Sequence, residues 1–120
     1  MSLRKVDTLP ALLDTLQTDG VTLLVGATWC MPCKRFMPHF ERAEKEMAAH
    51  GKDHDFRYIY LDEVAGADEG TLAEMLGVMS VPQVLHLLPG ETKEIKARTV
   101  LPLLQELEEI NGEGLAREAD

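Results

Sequence analysis

Apolar positions along this chain follow two rhythms, a helical period near 3.6 residues and short unbroken runs. Leu9, Leu12, Leu13 and Leu16 recur at helical spacing behind Thr8, a suitable N-cap, with Pro10 in the first turn and Gly20 as the stop. Leu3 to Val6, just ahead, reads as a short first strand. Val21 to Val25 is a continuous apolar run before Gly26, the pattern of a strand buried on both faces. Phe36, Phe40, Ala43 and Met47 step by four, three and four, giving a core-facing stripe on a helix that runs to about Ala49, with Gly51 as a stop. Pro38 falls inside this helix and removes one backbone bond, which predicts a kink. Phe56 to Leu61, rich in aromatic and β-branched residues, reads as a strand ending at Asp62.

In the second half, Glu63 to Gly70 reads as a loop, and Thr71 and Glu74 have the spacing of a capping box. Leu72, Met75 and Leu76 form a short helical face that Gly77 ends. Val84 to Leu88 is a second apolar strand, and the Pro89-Gly90 turn predicts an antiparallel return over roughly Lys93 to Arg98. Thr99 caps a last helix whose buried side is Leu103, Leu104, Leu107 and Ile110. Asn111-Gly112 should end it, leaving a polar tail over 112–120. The order β-α-β-α-β-α-β-β-α predicts one α/β domain over residues 1–120, its core about 3–111, with a central mixed sheet of four to five strands and helices on both faces.

Composition narrows the function. A net charge of −9 argues against nucleic acid and anionic membranes, since both need a basic face. No apolar run approaches the ~20 residues of a membrane span. No apolar stretch follows Arg4 and Lys5, so no signal peptide is expected and the cytoplasm is the default compartment. A periplasmic or other extracytoplasmic location is the alternative if a leader was removed ahead of Met1-Ser2-Leu3.

The candidate chemistry lies in Trp29-Cys30-Met31-Pro32-Cys33-Lys34, which holds both cysteines of the chain. Separated by two residues on the first turn of a helix, their sulfurs share one side and come within bridging reach. Unpaired backbone N–H groups at that helix end stabilise a thiolate, and Lys34 adds positive charge. Four zinc ligands would need a second such pair, and the chain has none, so redox chemistry is the better reading. The site also sits past the C-terminal end of a central strand, where ligands collect in open α/β sheets. His86 lies mid-strand and reads as a core histidine; His39, His50 and His54 read as solvated surface.

Four features in register carry a family resemblance. They are the Trp29-to-Lys34 run, Pro38 five residues past the second cysteine, the pair Val81-Pro82, and Gly90 eight residues past that proline. Over about residues 3–111 the chain resembles the thioredoxin family. That resemblance implies a Cys30–Cys33 redox disulfide, with Cys30 the attacking nucleophile and Cys33 the resolving thiol. It implies a cis bond at Val81-Pro82 beside the cysteines, with the Val81 backbone, Met79 and Trp29 as substrate-binding groups. Trp29, Met31, Pro32, Lys34 and Pro82 would shape the site. The partners it implies are protein disulfides and a thioredoxin reductase or other dithiol donor; a monomer without cofactor is expected.

The chain also departs from the family. Where thioredoxins carry a buried aspartate six residues before the first cysteine, this chain has Leu24, and the partner lysine is replaced by Tyr58. The two charges are lost together, as expected when either alone would be costly in the core. The stretch between Asp62 and Pro82 is longer than usual by about one helical turn. The expected function is reduction of protein disulfides. One alternative is an exported disulfide oxidase or isomerase, or a cytochrome-maturation-type protein. Another is a dithiol metal-binding module, for which Met31, Met37 and Met79 raise Cu(I).

Overall fold

The computed structural model describes the backbone of residues 3–119 and the side chains of residues 3–110. Its elements are β1 (Arg4–Val6), α1 (Leu9–Leu16), β2 (Val21–Gly26), α2 (Met31–Ala49), β3 (Asp55–Tyr60), α3 (Glu69–Leu76), β4 (Gln83–Leu88), β5 (Glu91–Ile95) and α4 (Val100–Ala119). This is the order that the apolar pattern predicts. The strands form one mixed sheet in the order β1-β3-β2-β4-β5. β1, β3 and β2 run parallel, while β4 and β5 are antiparallel to their neighbours.

Every residue of the central β2 is buried, because helices cover both sides of it. Val21, Leu23 and Val25 face one way, into a core with Leu12 of α1 and Leu72 and Leu76 of α3. Leu24 faces the other way, into a core with Phe36, Phe40, Ala43 and Met47 of α2 and Leu103 and Leu107 of α4. Phe40 meets Phe56 edge-on at 5.4 Å, the favourable geometry for two ring quadrupoles. Each such large side chain, fully buried, contributes about 2 kcal/mol by removal from water.

Several boundaries differ from the periodicity. α1 ends at Gln17, and Gly20 sits beyond it in the turn to β2 with φ +85°, its N–H donating to the Leu87 carbonyl at 2.7 Å. Leu13 and Leu16 lie on the exposed side of α1, and Thr15 is buried instead, its hydroxyl held by the Ala11 carbonyl at 2.8 Å. α3 starts earlier than the Thr71 capping box implies. Asp68 is its N-cap, accepting from Thr71 N at 2.8 Å, and Gly77 closes it in the left-handed conformation. β5 spans Glu91–Ile95 rather than Lys93 to Arg98, because the tight Pro89-Gly90 turn starts pairing at Leu88 and Glu91. α4 continues through Asn111-Gly112 to Ala119, so the polar stretch extends the helix.

Candidate active site

β2 ends at Gly26, whose carbonyl accepts from Leu61 N at 2.9 Å, and the chain then turns through Ala27, Thr28 and Trp29 into α2. Three side-chain bonds tie this turn to its surroundings. The Asp62 carboxylate at the end of β3 accepts from Thr28 N at 3.0 Å and from the Thr28 hydroxyl. Those bonds, the hydroxyl's first, hold the Asp62 carboxyl below the usual carboxylate range. The Trp29 indole N–H donates to Glu69 of α3 at 2.9 Å, although the ring is 64% exposed. No periodic signature in the sequence marks Thr28, Asp62 and Glu69, because they meet across 34 and 40 residues of chain.

Cys30 is the N-cap of α2, its Sγ accepting from Cys33 N at 3.2 Å. A cysteine sulfur therefore takes the capping place usual for serine or aspartate. The two cysteines are joined as a disulfide with their Cα atoms 5.3 Å apart. Once that bridge opens, the same N–H and the helix end stabilise a thiolate on Cys30.

Neither cysteine is openly exposed, contrary to what a helix N-terminus suggests. Cys30 is 4% and Cys33 2% accessible. They pack with Ala27 and against Val81, which screens them from one side. The Val81-Pro82 bond is cis. Pro32 and Pro82 line one groove. Met31 and Met79 are exposed, Met79 completely, and Lys34 points to solvent. The structure thus brings together Cys30, Cys33, Val81, Pro32 and Pro82, with Trp29 and Met31 on the rim. It leaves Lys34 and Met79 free of packing contacts. Met37 turns into the α2 core, away from the other two methionines.

Behind the disulfide, a Cβ on Gly26 would stand 3.3 Å from both Cβ and Sγ of Cys33 and 3.6 Å from Tyr60. Glycine here gives Cys33 its room. Leu24 lies opposite Tyr58 in the β2–β3 register, 1% exposed, so the site of the absent charge pair is filled by an aliphatic chain and a phenol. Among the described residues no cluster of three or more His, Cys, Asp or Glu is placed to hold a metal.

The histidines divide differently from the sequence reading. His86 is buried in β4 as expected, its Nδ1 2.9 Å from the Thr22 hydroxyl. His54 is not solvated surface. Its Nε2 lies 2.7 Å from the same hydroxyl, and its ring stacks on His86 with centroids 5.5 Å apart.

A dithiol pair on the first turn of a helix, at the C-terminal edge of a central strand and faced by a cis-proline, defines a class: a thiol–disulfide redox site. The comparisons agree with that class. The sequence model of the family Thioredoxin matches residues 12–108, so the chain belongs to the thioredoxin family. It is 32% identical over 73 residues to the protein disulfide-isomerase of Oryctolagus cuniculus, a match covering 61% of this chain and 13% of that enzyme. The fold is similar to that of Plasmodium falciparum thioredoxin, with a TM-score of 0.68, 21% identity, and coverage of 88% of this chain and 97% of that one. Trypanosoma brucei brucei thioredoxin matches with a TM-score of 0.70, 18% identity and 92% of each chain. At those identities the solved structures speak for the fold alone. The family and the bridged Cys30–Cys33 pair support a thiol–disulfide oxidoreductase.

Proposed function

We propose that this chain reduces protein disulfides through a Cys30–Cys33 dithiol–disulfide cycle. The observation that carries the reading is the bridged pair at the start of α2 beside cis Val81-Pro82. The Cys30 thiolate attacks one sulfur of a target disulfide, forming a mixed disulfide and releasing the other sulfur as a thiolate. Cys33, deprotonated, then attacks Cys30 Sγ, which forms the internal bridge and releases the second target thiolate. Two electrons pass to the target, and a thioredoxin reductase or another dithiol donor returns them.

The low accessibility of Cys30 makes approach directional. An extended target segment aligns along the Val81 main chain as an added strand, with Trp29, Met31 and Met79 giving apolar contact at the rim. With Leu24 in place of a carboxylate, water takes the proton that Cys33 loses. The protein works as a monomer in the cytoplasm, where dithiol donors keep thiols reduced.

Likeness to protein disulfide-isomerase and the missing buried charge pair favour a second reading, an oxidase or isomerase. Equilibration of the Cys30–Cys33 couple with glutathione separates the two. A potential near ~−270 mV supports the reductant, and one between about −120 and −180 mV the alternative. A Cys30→Ser variant that reduces insulin as fast as the parent rejects both.

A further inference from the structure

We infer that the groove beside the disulfide selects target segments carrying acidic residues next to their cysteine, with Arg98 and Arg35 as the carboxylate-binding groups; this rests on the exchange reading above. The groove is lined by Pro32, Arg35, Phe36, His39, Pro82 and Arg98. Pro32 stands between the two cysteines and Pro82 carries the cis bond, so the groove adjoins the reacting sulfurs. The chain carries a net charge of −9, yet no acidic residue lines this surface.

Arg98 is built into place. Its Nη1 donates to the carbonyls of Ile95 at 2.7 Å and Ala97 at 2.9 Å, and its Nη2 to that of Pro82 at 3.4 Å. The guanidinium lies over the Phe36 ring, 5.4 Å from its centroid. Neutral carbonyls and an aromatic face orient the cation without cancelling its charge. Five N–H donors belong to a guanidinium, and these bonds leave one on Nε and one on Nη2, the pair that grips a carboxylate side-on.

No acidic side chain among the described residues forms an ion pair with Arg98 or Arg35. Glu94 and Glu106 act on Arg98 only through space. Glu106 is itself bound to Ala97 N at 2.8 Å and Lys96 N at 3.4 Å. Arg35, exposed on α2, adds a second free cation at the other wall. A segment crossing the cis-proline delivers the side chains that flank its cysteine to these two groups.

The test uses disulfide-linked dimers of Gly-Glu-Glu-Cys-Glu-Glu-Gly and their Gln and Lys counterparts, reduced by the pre-reduced full chain and followed by Trp29 fluorescence. The Glu peptide should react about fivefold to tenfold faster than the Gln peptide at low salt, the yield of two partly exposed charge pairs. The Lys peptide should be slowest, and the spread should narrow at about 0.5 M salt. Arg35→Gln with Arg98→Gln should bring the Glu:Gln ratio close to unity. Arg35→Glu alone, which breaks no internal bond, should favour the Lys peptide. Lys45→Glu, the same charge change as Arg35→Glu but further along α2, should leave the ratio as in the parent. Equal rates on all three peptides, or a ratio that survives the double variant, overturns the groove while leaving exchange intact. Binding of Ser-for-Cys peptides separates the other failure. Preference for the Glu peptide there, with no peptide reduced, overturns exchange and keeps the groove; equal affinities overturn the groove.

Discussion

His54 Nε2 and His86 Nδ1 both face the single hydroxyl of Thr22, at 2.7 and 2.9 Å. One hydroxyl donates one proton, so in the neutral cluster it gives to one ring and accepts from the other. A charge in this stack has little water to solvate it. Burial first, and then the neighbouring His86, push the His54 pKa down to about 4 from 6.5, against an opposing pull from Asp55. In the unfolded chain the ring titrates near its ordinary value, so below about pH 6.5 the unfolded state binds more protons than the folded one. The stabilisation is therefore complete above that pH and is lost as the pH falls toward about 4. At about pH 5 the loss from this one residue amounts to about 2 kcal/mol relative to pH 8. Burial lowers the His86 pKa too, which adds in the same direction. Asp55, Asp62 and Asp68 all have carboxyls below their usual range, so their contributions are lost at lower pH than this window. Urea denaturation at about pH 8, 6.5 and 5 measures the effect. The parent should lose at least about 2 kcal/mol over that span, and His54→Gln, which keeps a hydrogen-bonding group near Thr22, should lose about 2 kcal/mol less than the parent. Identical pH profiles for the two proteins, or an NMR titration placing His54 at its ordinary pKa, would refute the reasoning.

Three further outcomes are expected. Gly26→Ala places a methyl 3.3 Å from Cys33 Cβ and Sγ and should cost about 1–3 kcal/mol while slowing disulfide exchange; stability within about 0.5 kcal/mol of the parent would contradict that crowding. Leu24→Asp combined with Tyr58→Lys sets opposite charges on neighbouring register positions and should speed resolution of a trapped mixed disulfide, read by stopped-flow; unchanged or slower resolution would count against a missing proton acceptor. Arg57→Met removes a buried guanidinium bound by Asp55 at 2.8 and 3.0 Å and by Thr15 at 2.8 Å. It should destabilise the protein by about 2 kcal/mol in denaturant, because Asp55 is left with Arg4 alone and the Thr15 hydroxyl with the Ala11 carbonyl alone; a neutral effect would mean that the network is worth no more than the apolar packing replacing it.

Much of the architecture is legible along the chain. The element order follows from runs and stripes such as Val21–Val25 and Phe36-Phe40-Ala43-Met47, and the two-residue spacing of Cys30 and Cys33 places both on one helical turn. Each of these is a local pattern, repeated within a few residues, and that is what hydrophobic periodicity encodes. Pro82 is marked by its position and is cis in the structure. Where local signals compete, reading from sequence goes astray. Asp68 and Thr71 both suit an N-cap, and the earlier one wins because its carboxylate reaches the Thr71 N–H and hydroxyl together.

Tertiary structure decides the contacts that join distant residues. Thr22 meets His86 because β2 and β4 pair in that register, and His54 joins them from the start of β3, 32 residues from Thr22. Arg57 finds Asp14 and Thr15 on a helix more than 40 residues earlier. Arg98 reaches the Pro82 carbonyl only because β5 returns the chain to β4. The burial of Cys30 likewise involves Val81, which packs against the cysteines from 51 residues further along the chain. Sequence alone determined which segments would be helix or strand and which residues could carry redox chemistry, since backbone period and side-chain type are local. Which charges are paired, which histidines are dry and how far the sulfurs are covered depend on strand register and helix packing, which arise only when the whole sheet assembles.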